Sequence, residues 1–121
     1  MVRFRTGALV AAAVLASLVV AVAAFGSASK TAVTVTAGKP SELKFKLSAT
    51  SAAKGAIAFK VTNKGSVEHD FKIAGKKTMR LKPGKSQTLL VTINKAGKYP
   101  FLCTVTGHAA GGMKGTFTVR K

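Results

Sequence analysis

Residues 97–119 read GKYPFLCTVTGHAAGGMKGTFTV, and the rest of the chain is organised around them. Cys103 is the only cysteine; His108 follows after four intervening residues and Met113 after four more, so three metal-binding side-chain types share one short segment. The flanks read as strands. Tyr99, Phe101 and Cys103 fall on one face by the two-residue period of an extended chain, and Phe117 and Val119 repeat the pattern after the loop. Gly107, Gly111 and Gly112 let the connection turn back sharply, since glycine takes positive φ without a steric penalty. His69, the other of the two histidines, heads the extended run HDFKI, from which a second strand can bring it to the same end of the domain.

Strand signals continue outward from this segment. Residues 32–36 form a short first strand; Leu43, Phe45 and Leu47 alternate with Lys44 and Lys46; Ile57, Phe59 and Val61 alternate with Ala58, Lys60 and Thr62. Asn63, Lys64 and Gly65 turn the chain into the His69 run, whose inward side continues in Phe71 and Ile73. Lys82-Pro83-Gly84-Lys85 is a further turn into Leu89, Val91 and Ile93, and Ala96-Gly97 leads into the cysteine strand, where Pro100 implies irregular or edge pairing. The sum is seven or eight strands and no amphipathic helix longer than a turn or two, which predicts an all-β sandwich or barrel. The aromatic residues Phe45, Phe59, Phe71, Tyr99, Phe101 and Phe117 are read as its core, with the Tyr99 hydroxyl at the rim.

The 121 residues hold one domain and a targeting segment. Arg3 and Arg5 form a basic head, residues 8–25 form an apolar run, and small residues follow, so residues 1–28 read as an export signal with cleavage after Ala23, Ala24 or Ala28. At 18 residues the apolar run is also near the lower limit for spanning a bilayer, and the alternative is an uncleaved anchor. Residues 29–121 then form the domain. Export places it in an oxidising, extracytoplasmic compartment, where a lone cysteine cannot make an internal disulfide and needs burial or a bound metal.

The net charge is +17, from 20 Lys and Arg against Glu42, Glu68 and Asp70; without Arg3 and Arg5 it is +15. Such a charge speeds encounter with acidic partners and favours anionic membrane or cell-wall surfaces, in a salt-dependent way. Specific nucleic-acid binding is excluded as a reading, because Lys44, Lys46, Lys60 and Lys72 alternate along strands without a recognition motif to focus them. A nucleophilic Cys-His enzyme is also rejected: a small exported β-domain with three acidic residues offers few orienting groups or oxyanion donors.

Two imidazoles, a thiolate and a thioether make a mixed borderline and soft donor set. Zinc favours closed sites of Cys, His and carboxylate, while calcium and magnesium want oxygen; a His, His, Cys arrangement with a weak methionine suits electron-transfer copper. Taken singly, Cys103 reads as a small buried hydrophobe, His69 as a half-buried polar residue, His108 as a loop residue and Met113 as a core gap-filler. It is their joint placement that points to one copper per chain.

The pieces VTNKG, HDF, LKPGKSQTLLVTI and GKYPFLCTVTGHAAGGMKG, spread over residues 61–119, resemble the cupredoxins, the small blue copper proteins of the plastocyanin, azurin and rusticyanin type. The resemblance implies an all-β, Greek-key, cupredoxin-like β-sandwich with His69, Cys103 and His108 as strong copper ligands and Met113 as the axial one, the histidines binding through Nδ1. It further implies a one-electron carrier with the edge of His108 as the electron exit; together with the lysines around that edge, which would steer an acidic redox partner, the expectation is a monomer that is not an enzyme and binds such a partner briefly. Two departures bear on tuning. Asp70 stands where the family often has asparagine, either bonding the Thr104 hydroxyl or leaving a charge beside the copper that lowers its reduction potential; Thr106 stands where related loops often carry proline. The multicopper oxidases and copper nitrite reductases need further histidines, and this chain has two. An extracytoplasmic protein that buffers or delivers copper is the alternative function, and a basic domain adhering to anionic polymers is a weaker third.

Overall fold

The computed structural model describes residues 30–121, so the predicted export signal lies outside the described residues. Nine strands build two sheets: β1 (Thr31–Ala37), β2 (Phe45–Leu47), β3 (Ser51–Ala53), β4 (Gly55–Asn63), β5 (Lys72–Ile73), β6 (Lys76–Lys77), β7 (Ser86–Ile93), β8 (Gly97–Leu102) and β9 (Lys114–Arg120). One sheet has the order β2-β1-β4-β7 and the other β3-β9-β8-β5-β6. The pairs β1–β4 and β3–β9 are parallel and the rest antiparallel. No helix among the described residues is long and apolar enough to cross a membrane.

Alternation decides which side of each strand is covered. Val33 and Val35 on β1, Ile57, Phe59 and Val61 on β4, and Leu89, Val91 and Ile93 on β7 are buried, while Thr34, Lys60, Leu90 and Thr92 between them face water. Ile73, Phe101, Phe117 and Val119 complete the core from the second sheet, joined by Phe71 just before β5. Phe71 lies at its centre, with ring centroids 5.3 Å from Phe45, 5.4 Å from Phe59 and 5.4 Å from Phe101. Tyr99 packs against this cluster and its hydroxyl donates to the Lys95 carbonyl at 2.6 Å, the rim position expected of it.

The strand count exceeds the expected seven or eight because three short pieces carry no usable alternation: β3 is Ser-Ala-Ala, and the β5–β6 hairpin pairs only two residues on each side. His69 does not head a strand. It makes an isolated bridge with Leu81, and β5 begins three residues later. Pro100 sits in a strand with neighbours on both sides, but β5 pairs only with Phe101 and Leu102, so the register leaves Pro100 without a partner on that side.

Register gathers one set of strand ends. Ala37 pairs with Asn63, Thr62 with Ser86, and Leu102 with Lys114, and the turns between these ends carry the histidines, the cysteine and the methionine. All three acidic residues belong to this end. At the opposite end, Lys30, Lys54, Lys95, Lys98, Arg120 and Lys121 are exposed with no acid among them.

Candidate metal centre

The cysteine loop is closed by its own backbone. Cys103 N–H donates to the Met113 carbonyl at 3.1 Å, Met113 N–H to His108 at 3.0 Å, and His108 N–H to Val105 at 3.0 Å. Gly112 takes φ 111°, a conformation closed to most side chains, immediately before Met113. These bonds hold Cys103, His108 and Met113 as one unit. Cys103 and Met113 are fully buried in a small cluster with Ala37, flanked by Leu43, Phe45 and Val105. The thiol and the thioether thus share an apolar wall.

His69 arrives on a separate loop, fixed by Asn63. This fully buried side chain donates to the carbonyls of Val67 (2.8 Å) and Leu81 (2.7 Å) and accepts from Gly65 N–H (2.8 Å). His69 and Leu81 exchange backbone bonds of 3.1 and 2.7 Å. The His69 ring is then oriented by Glu42, whose carboxylate lies 2.8 Å from Nε2 and also accepts from the backbone N–H groups of Ser66 and Val67. A carboxylate only accepts, so Nε2 carries the hydrogen and a neutral ring keeps its lone pair on Nδ1.

That lone pair points at the other donors. Nδ1 of His69 is 3.2 Å from Nδ1 of His108, and His108 Nδ1 is 3.6 Å from Cys103 Sγ. The donor atoms of His69, Cys103 and His108 all lie within 4.8 Å of one another. Bonds of about 2.0 Å to imidazole and about 2.3 Å to thiolate allow two donors of one ion to be no more than about 4 Å apart, and both measured separations satisfy this. The donor set therefore fits a single borderline or soft ion, and Met113 stands beside it.

Burial, and secondarily the neighbouring His69 ring, hold His108 below the ordinary imidazole pKa, which keeps its nitrogen available as a donor. Burial pushes the Cys103 thiol up, opposed by the backbone N–H groups of Asp70 and Val105. Metal binding must therefore displace a proton from Cys103. Asp70 itself is buried and accepts from Thr104 N–H at 2.6 Å and from the Thr104 hydroxyl, the hydrogen bond the sequence offered for it.

All four residues singled out by sequence are thus at one end of the sandwich, three of them in donor contact. Sequence reasoning missed Glu42 and gave Asn63 only a turn-forming role. The one signal for Glu42 was scarcity, as one of three acids among twenty cations.

The cupredoxin-like domain family matches residues 8–119. The chain belongs to that family. Among solved structures, a dithionite-reduced auracyanin from the photosynthetic bacterium Roseiflexus castenholzii superimposes with a TM-score of 0.65 at 23% identity, covering 76% of this chain and 98% of that one. Auracyanin A, a "blue" copper protein from Chloroflexus aurantiacus, gives 0.62 at 17% identity over 75% and 99% of the two chains. Rusticyanin from Thiobacillus ferrooxidans gives 0.64 at 20% identity over 74% and 76%. These confirm the cupredoxin sandwich. No curated protein sequence matches the chain. In this cupredoxin, His69, Cys103 and His108 form a candidate site for one copper, with Met113 nearby.

Proposed function

We propose that this cupredoxin is an extracytoplasmic one-electron carrier, in which His69, Cys103 and His108 would be the strong ligands of a type 1 copper and Met113 a further, weak one. The observation that carries the reading is the convergence of two imidazole nitrogens at 3.2 Å with the Cys103 sulfur 3.6 Å from one of them. Bound copper supplies a Cu(II)/Cu(I) couple, taking one electron from a reduced partner and giving it to an oxidised one.

The protein's part is to hold the donors still. Asn63, Glu42 and the backbone bonds of the 103–113 loop fix them from two directions, so little needs to move between oxidation states. The half-exposed His108 offers the path for the electron, between the small residues Ala109, Ala110 and Gly111. Lys44 beside Gly112, and Lys114 at the start of β9, suit a transient acidic partner, while the all-cationic opposite end suits an anionic surface. The basic head and apolar run of residues 1–28 support export, and in an oxidising compartment the lone Cys103 is protected by its burial and by the metal it would bind.

A visible spectrum of the purified chain, titrated with Cu(II) and then reduced with ascorbate, tests the reading. An intense thiolate-to-copper band that saturates at one copper per chain and bleaches reversibly is the expected result. A weak tetragonal spectrum would remove Cys103 from the ligand set and leave copper buffering as the better account.

A further inference from the structure

We propose that Glu42 and Asp70 act together as positioning residues that bias the metal centre towards its higher oxidation state, Glu42 through the His69 ring and Asp70 through the cysteine loop. The inference rests on the copper reading above. It begins with a distribution: the chain has three acidic residues, and two of them hold the segments that carry His69 and Cys103, while the third, Glu68, directly precedes His69 in the chain. Nothing in the fold requires this, since the same chain leaves its opposite end without an acidic side chain.

Each carboxylate is held in place by donors. Glu42 Oε1 lies 2.8 Å from His69 Nε2 and takes the N–H groups of Ser66 and Val67 at 3.0 Å, while Oε2 takes Ser66 N–H at 3.0 Å and its hydroxyl at 3.3 Å. Asp70, 1% exposed, is fixed by both Thr104 donors. Moving Asp70 would leave the two part-buried Thr104 donors without a partner, and moving Glu42 would give up the part-buried His69 Nε2–H together with the Ser66 and Val67 donors.

The consequence is electrostatic. Cu(II) carries one more positive charge than Cu(I), so fixed negative charge around the site favours the oxidised form, and a carboxylate on a ligating imidazole also raises that ligand's basicity. A neutral amide at the same positions would keep much of the hydrogen bonding and lose this bias. Glu42 is partly exposed and therefore partly screened, which limits its effect, whereas Asp70 is shielded from solvent.

The test compares the copper-loaded full chain with Glu42→Gln and Asp70→Asn by spectroelectrochemical titration at pH 7. Each variant is expected to raise the ratio of Cu(I) to Cu(II) affinity about tenfold, equal to about 59 mV in a one-electron potential, with the thiolate-to-copper band retained. A purely structural role would move stability and leave the potential alone. Nitrogen chemical shifts of the metal-free, unsubstituted chain give a second readout independent of the variants' folding: His69 is expected to carry its proton on Nε2. Potentials within about twofold in affinity ratio of the unsubstituted chain, or a proton on His69 Nδ1, would overturn the proposal while the copper reading stands. An unsubstituted chain without the thiolate band would sink both.

Discussion

Asp70 and Thr104, 34 residues apart, are joined by two hydrogen bonds, one from the Thr104 backbone N–H at 2.6 Å and one from its hydroxyl. Asp70 follows His69 and Thr104 follows Cys103, so the residue after one candidate ligand is tied to the residue after the other. This bond pair braces the two loops of the site. It needs an acceptor on both oxygens, and a carboxylate provides that.

Replacing Asp70 with Ala is expected to destabilise the metal-free chain by about 1–3 kcal/mol, because the partly buried Thr104 N–H loses its partner. Copper affinity should fall about 10- to 100-fold as the loops uncouple. Thr104→Ser keeps both donors and should stay within about 0.5 kcal/mol of the parent. Urea unfolding and competitive copper titration of the three proteins check the pair of effects.

Phe71 has the opposite balance of roles. It is fully buried among three other phenylalanines and lies two residues beyond His69. Phe71→Ala should cost about 3–5 kcal/mol, the range for emptying an aromatic site in a packed core. Leu90→Ala, on the outer face of β7 at 49% exposure, should cost no more than about 0.5 kcal/mol. Denaturant midpoints at constant slope distinguish a cavity from a change in the unfolded state.

The parts of the molecule that repeat locally were legible in the sequence. The alternation along β4, β7, β8 and β9 predicted which side of each strand is buried, and Cys103, His108 and Met113 were legible because one closed loop holds all three. The partners reached across the fold were not. Glu42 meets His69 over 27 residues, and Asn63 reaches Leu81 over 18, and such hydrogen bonds leave no period in the chain. The short strands β3, β5 and β6 were illegible for a related reason: two or three residues are too few to show alternation, and their pairing is decided by the neighbours they dock on.

Glu42 also predicts an acid limb of stability. Hydrogen bonds from the Ser66 and Val67 backbone, with His69 contributing, lower its pKa from 4.5 to about 2. A carboxylate whose folded pKa is depressed stabilises the fold above its unfolded pKa, and that contribution is lost as pH falls through the folded value. The urea midpoint of the metal-free chain should therefore drop between pH 4.5 and about 2. Glu42→Gln should flatten that part of the profile, and because the side chain is 36% exposed the difference should shrink in high salt. Equal profiles for the two proteins would show that Glu42 is not held as described.

Gly65 stands against the same hydrogen bond. A Cβ at this position would lie 2.5 Å from Glu42 Oε1 and 2.9 Å from His69 Nε2. The backbone cannot retreat, because Gly38 packs so closely behind it that a Cβ on Gly38 would come within 2.5 Å of Gly65 Cα. The carboxylate must therefore be the part that gives, leaving His69 Nε2–H and the Ser66 and Val67 N–H groups without it. Gly65→Ala is expected to cost about 1–3 kcal/mol and to weaken copper binding about 10- to 100-fold. Gly75→Ala is the informative comparison. Its φ of 76° makes alanine strained by about 1–2 kcal/mol, but nothing lies within 4 Å of its Cβ position, so stability should fall and copper affinity should not. If both variants lost affinity equally, the loss would follow global stability and not the displaced carboxylate.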